Sequence, residues 1–515
     1  MSMMRAFSTV GSFTLMSRIL GFMRDVLMAQ FLGAGLAADC FFVAFKLPNF
    51  FRRLFAEGAF SSAFVPLFSR ILGRDPTPTS RHNARIFAQE ALAVLLPILL
   101  VFTGLMQAVM PWAMLVLAPG FADQPEKFAL AVDLTRLTFP YLLLISLVSL
   151  FSGILNGLGR FSEAAAAPIL LNLVLISSLL LFHDTAIMTA KALAIAVSLA
   201  GVVQLLLLLY GAHRMGFSLS LPRPKLTPAV KRLLTVMLPV ALGAGMTQIN
   251  LMIDVILASM LPEGSLSFLF YADRLNQLPL GVIGIAVGTV LLPHLSRTLA
   301  GGSAVEAIHH HNRAIEFALI LTLPAAFALA TVPQPLISAL FQHGAFTADD
   351  SQATAWALAA FAAGLPAFVL IKVLVPGFYA REDMKTPVKI ALLALVTNLV
   401  LNLLLMGPLR HVGLALATSI AAWLNAALLY VNLHRRSQFA LDARLKSRLL
   451  RVIASCGLMA AVLFGLDHFF GAGRGASKAM QVGQAALLVV SGLGVYGVAS
   501  LISGAFRLSE IKNWR

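Results

Sequence analysis

An all-α, polytopic membrane fold of about fourteen transmembrane helices is what this sequence predicts, because apolar stretches of about 20 residues, enough to cross a bilayer core, recur from end to end. Composition points the same way. Of 515 residues, 59% are hydrophobic and 12% charged, against roughly 25% charged in soluble domains, and mean hydropathy is +0.88. The third observation is the placement of charge. Arg5, Arg70/Arg74/Arg81/Arg85, Arg160, Arg214/Arg223/Lys225/Lys231/Arg232, Arg297, Arg381/Lys385, Arg435/Arg436/Arg444/Lys446/Arg448 and the tail Arg507/Lys512/Arg515 fall in alternate loops. The loops between them hold few basic residues, such as Lys127, Arg410, Arg474 and Lys478. The positive-inside rule then puts both termini in the cytoplasm and requires an even number of spans. Topology accounts for the net charge of +16, so nucleic acid is not an expected partner.

In chain order the spans read 7–35, 40–70, 88–112, 130–157, 164–183, 187–210, 231–260, 266–297, 313–333, 350–379, 386–407, 411–433, 449–470 and 480–503. The first holds Arg18 and Arg24 and runs well past the apolar core of a signal peptide, about 7–15 residues, so it reads as a membrane helix. The second and eighth are longer than a bilayer needs and contain Pro48 and Pro279. They should kink, partly unwind, or run on as cytoplasmic helix, and broken helices often mark transport sites. Cys40 and Cys456 both lie in or beside apolar segments, which argues against a disulfide framework or a Cys-based metal site.

The two halves of the chain repeat. Val65-Pro66-Leu67-Phe68-Ser69-Arg70 recurs as Leu292-Pro293-His294-Leu295-Ser296-Arg297, and Asn172-Leu173-Val174-Leu175 as Asn398-Leu399-Val400-Leu401. Pro111, Gly120 and Gly153 correspond to Pro335, Gly344 and Gly377 at an offset of about 225 residues. Each unit holds six spans, an even number, so both copies enter the bilayer in the same direction as a parallel repeat. The domains expected are an N-terminal lobe 1–225, a C-terminal lobe 226–440, and an appended helix pair with a cytoplasmic tail at 441–515. Two six-helix lobes around a central cavity suit alternating access.

Ionisable residues inside the spans are the candidate site. They are Arg18, Arg24 and Asp25 in the first span, Asp39, Lys46, Arg52, Arg53 and Glu57 in the second, Asp254 in the seventh, and Asp273 and Arg274 in the eighth. A central arginine costs about 2.5–3.5 kcal/mol on insertion scales, so these side chains must face protein or a water-filled cavity. Spans one, two and eight should therefore line one cavity. At 100° per residue Arg18 and Asp25 share a face, while Arg24 lies about 120° from Arg18, so the lining is broad or Gly21 allows a bend. Arg53 with Glu57, and Asp273 with Arg274, also fit as plain ion pairs. Arg18, Arg24, Arg52, Arg53 and Arg274 are the expected substrate-binding set. Asp25, Asp39, Glu57 and Asp273 are the expected cavity and coupling carboxylates. The guanidinium fork stays charged and matches phosphate oxygens, so the cargo predicted is a phosphorylated anion. A cation exporter would want acidic membrane charges instead.

The motifs carrying these residues resemble a known family. Ser17-Arg18-Ile19-Leu20-Gly21-Phe22-Met23-Arg24-Asp25, Asp39 to Phe42, Leu47 through Phe60, and Tyr271-Ala272-Asp273-Arg274-Leu275 with Pro279 look like the MurJ/MviN lipid II flippases. The resemblance covers essentially the whole chain. It implies the fold of the multidrug/oligosaccharidyl-lipid/polysaccharide exporter superfamily, with the appended helix pair associated with a lipid tail. It implies lipid II, the undecaprenyl-pyrophosphate-linked peptidoglycan precursor, as cargo moved from the cytoplasmic to the periplasmic leaflet of the bacterial inner membrane. Membrane lipids and cell-wall synthesis proteins are the partners it implies, with a role in cell shape. Its important cavity residues carry over onto Arg18, Arg24, Asp39, Arg52, Arg53, Glu57 and Arg274.

No cofactor is expected. The sequence has no G-x-x-x-x-G-K-[ST] loop for ATP and no H-E-x-x-H, leaving the membrane potential, with or without a coupling ion, as the driving force. His309-His310-His311 reads as a solvated face, Thr347-Ala348-Asp349-Asp350 as a helix N-cap, and Gly471 to Gly475 as a flexible turn. The competing readings are a flippase for another polyprenyl-pyrophosphate glycan and a polytopic enzyme acting on lipid-linked sugars. Short loops and centrally placed arginines argue against the enzyme.

Overall fold

The computed structural model describes residues 3–73, 77–301, 303–470 and 477–506 and, within them, all side chains except those of 3–8, 56–57, 242–247 and 282–290. The described residues form helices and connecting turns, with no strand among them. Nine described stretches are long and apolar enough to cross a membrane. The chain divides into two compact units, one running to Ser267 with Gly344–Phe346 added, the other comprising Phe268–His343 and Thr347 onward.

The first unit begins with α1 (Met3–Leu32) and α2 (Leu36–Phe51). A π-helical segment (Arg52–Phe60) joins α2 to α3 (Ser61–Leu72). Then follow α4 (Pro78–Leu117), α5 (Pro125–Thr138), α6 (Tyr141–Gly157), α7 (Ser162–Leu181), α8 (Ala186–Arg214) and α9 (Pro228–Ser259). Prolines decide several of its joints. A proline has no N–H, so the carbonyl four residues earlier loses its helical donor, and in a bilayer another group must supply one. Pro48 in this way frees the Ala44 carbonyl, which accepts from the Thr138 hydroxyl of α5 at 2.8 Å. Pro111 frees the Gln107 carbonyl, which accepts from Arg136 Nε at 3.2 Å. The Arg136 carbonyl, four residues before Pro140, accepts from Gln107 Nε2 at 2.8 Å in return. The irregularity expected in the second span is thus the π-helical segment, one turn beyond Pro48. Extended π-helix is rare and often found at functional sites. α1, by contrast, is one uninterrupted helix through Gly21.

The second unit contains α10 (Ser265–Ala300, whose first three residues count with the first unit), α11 (Ala304–Thr331), α12 (Pro333–Phe341) and α13 (Ala348–Tyr379). α14 (Lys385–Arg435), α15 (Ala443–Phe470) and α16 (Lys478–Ile502) complete it. α10 is continuous helix through Pro279 and Pro293. α14 turns back after Pro408 at Arg410, whose backbone is non-helical (φ 50°), so it is two helices meeting where the two expected spans meet. Leu319, Val373, Phe378, Leu429, Val452 and Cys456 bring α11, α13, α14 and α15 into one core. Pro324 frees the Ile320 carbonyl of α11, and the Tyr496 hydroxyl of α16 donates to it at 2.6 Å. Glu316 of α11 receives Arg313, Arg444 and Arg448, and Asp442 receives Arg313, tying the start of α15 to α11.

Two smaller expectations have outcomes here. Thr347 does cap α13, its hydroxyl accepting from Asp350 N–H at 3.2 Å while Asp350 accepts from Thr347 N–H at 2.8 Å. The histidine tract is not a uniformly solvated face. His309 is exposed, but His311 is buried with Nε2 2.8 Å from the Val373 carbonyl, because 100° per residue turns the third ring toward α13. Gly471 to Gly475 lies outside the described residues.

Candidate functional site

α1 presents Arg18 and Arg24 on different sides. Arg18 is exposed, whereas Arg24 and Asp25 are 6% and 2% exposed. An uninterrupted helix cannot turn both arginines the same way across six residues, and α1 has no break at Gly21. Arg24 lies side-on to its neighbour, Nε and Nη2 donating to Asp25 Oδ1 at 3.0 and 2.6 Å. Its Nη1 donates to Asn172 Oδ1 of α7 at 3.0 Å. A buried charge needs this combination of counter-charge and hydrogen bonds.

α2 carries Asp39 and Lys46. Asp39, 2% exposed, accepts from the Gly264 N–H (2.8 Å), the Ser267 N–H (3.1 Å) and the Ser267 hydroxyl (2.7 Å), and pairs with Lys127 Nζ at 3.3 Å. Lys127, from the first turn of α5, is itself 3% exposed and lies over the Phe121 ring at 4.4 Å. Lys46 is half-buried. Arg52 opens the π-helical segment and donates through Nε to Asn49 Oδ1 at 3.0 Å, and Asn49 Nδ2 donates to the Phe45 carbonyl at 2.7 Å. Arg53 is exposed. The side chain of Glu57, and with it the expected Arg53–Glu57 pair, lies outside the described residues.

In α9, Asp254 is half-buried. In α10 of the second unit, Arg274 sits over the Phe270 ring at 4.8 Å and Asp273 accepts from Gln277 Nε2. Among the expected residues Arg24 thus pairs with Asp25, Asp39 pairs with Lys127 from outside the expected set, and Asp273 and Arg274 occupy neighbouring positions of α10.

A family model described as lipid II flippase MurJ matches residues 28–480. The chain belongs to the lipid II flippase MurJ family. A probable lipid II flippase MurJ of Rhizobium tropici is 44% identical over 99% of this chain and 96% of its own length. The lipid II flippase MurJ of Burkholderia cenocepacia is 38% identical over 85% of this chain and 84% of its own. A solved lipid II flippase MurJ in an inward closed conformation superposes with a TM-score of 0.77 at 25% identity, covering 96% of this chain and 98% of its own. An inward-facing multidrug resistance MATE transporter of the MOP superfamily shares the fold, at 17% identity and a TM-score of 0.64 over 82% of this chain and 94% of its own. This MurJ-family chain is a multi-pass membrane protein, and its fold is that of the MOP transporters.

Two members of the site carried no recognisable signal in the MurJ-family sequence. Lys127 follows Pro125 and reads as a loop charge, and only the N1 preference of proline hints that it sits inside a first helical turn. Asn172 was visible only as a marker of the repeat.

Proposed function

We propose that this protein is a lipid II flippase of the bacterial inner membrane. It moves the undecaprenyl-pyrophosphate glycopeptide from the cytoplasmic to the periplasmic leaflet by alternating access between two six-helix lobes, with both termini in the cytoplasm and fourteen spans in all. Its activity is transport and not bond making or breaking. The observation that carries the reading is the coincidence of a full-length family match with a buried, hydrogen-bonded arginine on α1.

Arg18, Arg24, Arg52, Arg53 and Arg274 are the headgroup ligands in this proposal. Asn49 supports Arg52 and Phe270 lies under Arg274, so both guanidinium groups are oriented before any ligand arrives. Asp39 already holds four donors, which suits it to anchoring α2 and leaves Asp25, Glu57 and Asp273 as the carboxylates for a coupling ion. The cargo's pyrophosphate carries its charge outward, so an inside-negative potential drives export by about 2.3 kcal/mol per charge per 100 mV. Membrane lipids surround the protein, and cell-wall synthesis enzymes are the partners that supply and consume its cargo.

The test is the outer-face accessibility of lipid II in cells depleted of the protein and complemented with wild type, Arg24→Ala or Arg274→Ala. Wild type should restore exposure and both variants, at normal protein level, should leave lipid II inside. Unchanged exposure on depletion would reassign the cargo to another polyprenyl-pyrophosphate glycan. Full restoration by Arg24→Ala would remove the arginine cavity.

A further inference from the structure

Asn172 is a buried polar group beside Arg24 that the transport reading leaves without a task. It projects from α7 with 6% exposure, and its carboxamide is engaged at both ends. Oδ1 accepts from Arg24 Nη1 at 3.0 Å, while Nδ2 donates to the Ser17 carbonyl at 3.0 Å and reaches the Ser17 hydroxyl at 3.5 Å. Chemistry fixes this orientation, since a guanidinium only donates and a carbonyl only accepts. One side chain thus spans from Ser17 to Arg24, two turns of α1 apart. A Cβ at the intervening Gly21 would lie 3.5 Å from Asn172 Nδ2, so the amide rests flat on the helix there.

We infer that Asn172 is a positioning residue for headgroup binding: it aims the Arg24 guanidinium while adding no negative charge of its own. The inference rests on the proposal that Arg24 binds the pyrophosphate. Of the five N–H donors of Arg24, two go to Asp25 and one to Asn172, which leaves one on each terminal nitrogen. Two such donors are what phosphate oxygens take from a fork. Asp25 already sets one negative charge against Arg24, and a carboxylate at 172 would set a second against it, weakening the pull of the guanidinium on an anion. A neutral amide orients without that weakening.

Arg52 is held by the same device. Its Nε donates to Asn49 Oδ1, and the other end of that amide is tied to a backbone carbonyl. Two arginines of the expected set, on different helices, are each steadied by an asparagine anchored on the main chain.

The experiment measures binding of undecaprenyl pyrophosphate to the purified full-length protein in lipid nanodiscs, alongside the thermal midpoint, for wild type, Arg24→Ala, Asn172→Ala and Asn172→Asp. Asn172→Ala should weaken binding roughly tenfold, the size of one lost orienting hydrogen bond. Asn172→Asp should weaken it further, to the level of Arg24→Ala, although the aspartate is nearly isosteric. A merely structural tie between α1 and α7 would move the midpoints without that dependence on charge. Should Asn172→Ala not fold, Asn172→Gln answers in its place: it keeps both bonding ends on a longer arm and should bind more weakly than wild type. If Arg24→Ala binds weakly but the Asn172 variants, Asn172→Gln included, bind as wild type, the positioning role is overturned and the headgroup site stands. If Arg24→Ala also binds as wild type, both fall.

Discussion

A carboxylate buried among apolar helices keeps its charge only while donors occupy its oxygens, and at Asp39 four of them do. Its ion-pair partner Lys127 is as deeply buried, so removing one member strands the other. Asp39→Asn should therefore lower stability by about 3–5 kcal/mol, the range for breaking a buried pair from one side. Asn also turns an amide toward donors that need an acceptor. In the double variant Asp39→Asn/Lys127→Met no buried charge is stranded, and the loss should be smaller than the sum of the single losses by about 1–3 kcal/mol. Thermal unfolding of the four proteins in detergent reads this directly; strictly additive losses would mean the pair is not coupled. Asp39 was legible in the sequence because an acid inside an apolar span is conspicuous. Lys127 and Asn172 were not, because a lysine just past a turn and an asparagine in a helix are ordinary there. Only folding shows that each sits opposite a group of complementary chemistry.

Asp383 lies in the turn before α14 and holds the two ends of that helical hairpin together. It accepts from the Thr386 hydroxyl at 2.7 Å and the Thr386 N–H at 3.0 Å, and pairs with Arg436 Nη1 at 2.6 Å beyond the far end of α14. These contacts, the Thr386 hydroxyl first, hold its carboxyl well below the usual carboxylate range. A depressed value in the folded state means the stabilisation is present above the unfolded value, near about 4, and is lost as pH falls through the folded one. Asp383→Ala should cost about 1 kcal/mol at neutral pH, mostly from the lost cap, since Arg436 is nearly half exposed and its Coulombic share is screened. The gap between variant and wild-type thermal midpoints should hold from pH 7 to about 5 and narrow progressively below about 4, as the unfolded state takes up the proton that the folded carboxylate still refuses. A gap of constant size from pH 7 down to pH 3 would show that the ionised carboxylate is not what closes the hairpin. The elements themselves were largely readable. Hydropathy located the helices and Pro48 marked the second span as irregular, but the π-helical register at Arg52–Phe60 depends on how its neighbours pack, which hydropathy does not encode. The break in α14 was readable because Pro408 sits between two apolar runs.

Over the whole chain, the sequence repeat and the compact units divide the molecule at different places. The repeat changes copy near residue 226, whereas the first unit extends to Ser267 and takes in Gly344–Phe346. Packing is the reason: α9 contacts α3, α4 and the π-helical segment, and the Ala345 N–H donates to the Gln30 carbonyl at 2.8 Å. Periodicity in a sequence can reveal duplicated segments, but not which of them pack together. Gly120 and Gly344, matched by the repeat, both meet a main-chain carbonyl at a helix end, Ser259 of α9 and Gln30 of α1. A Cβ at either would overlap that carbonyl, so each copy needs glycine at this position for the same steric reason. The transport cycle is also a property of the whole molecule, and its driving force can be counted. Over one complete cycle the protein's own charges return to where they began, so the membrane potential does net work only on cargo and any coupled ion. A headgroup bearing about two negative charges gains about 4.6 kcal/mol per 100 mV, or about 1.4 kcal/mol per 30 mV, a factor of ten in the steady-state distribution. In proteoliposomes with lipid II, equal pH and sodium on both sides, and a potassium diffusion potential, the ratio of lipid II in the two leaflets should shift about tenfold for each 30 mV and reverse with polarity. A steeper slope would count a cation moving inward with each export, and a shallower one a cation leaving with the cargo. A ratio independent of potential would mean electroneutral exchange, and the membrane potential would not be the motor.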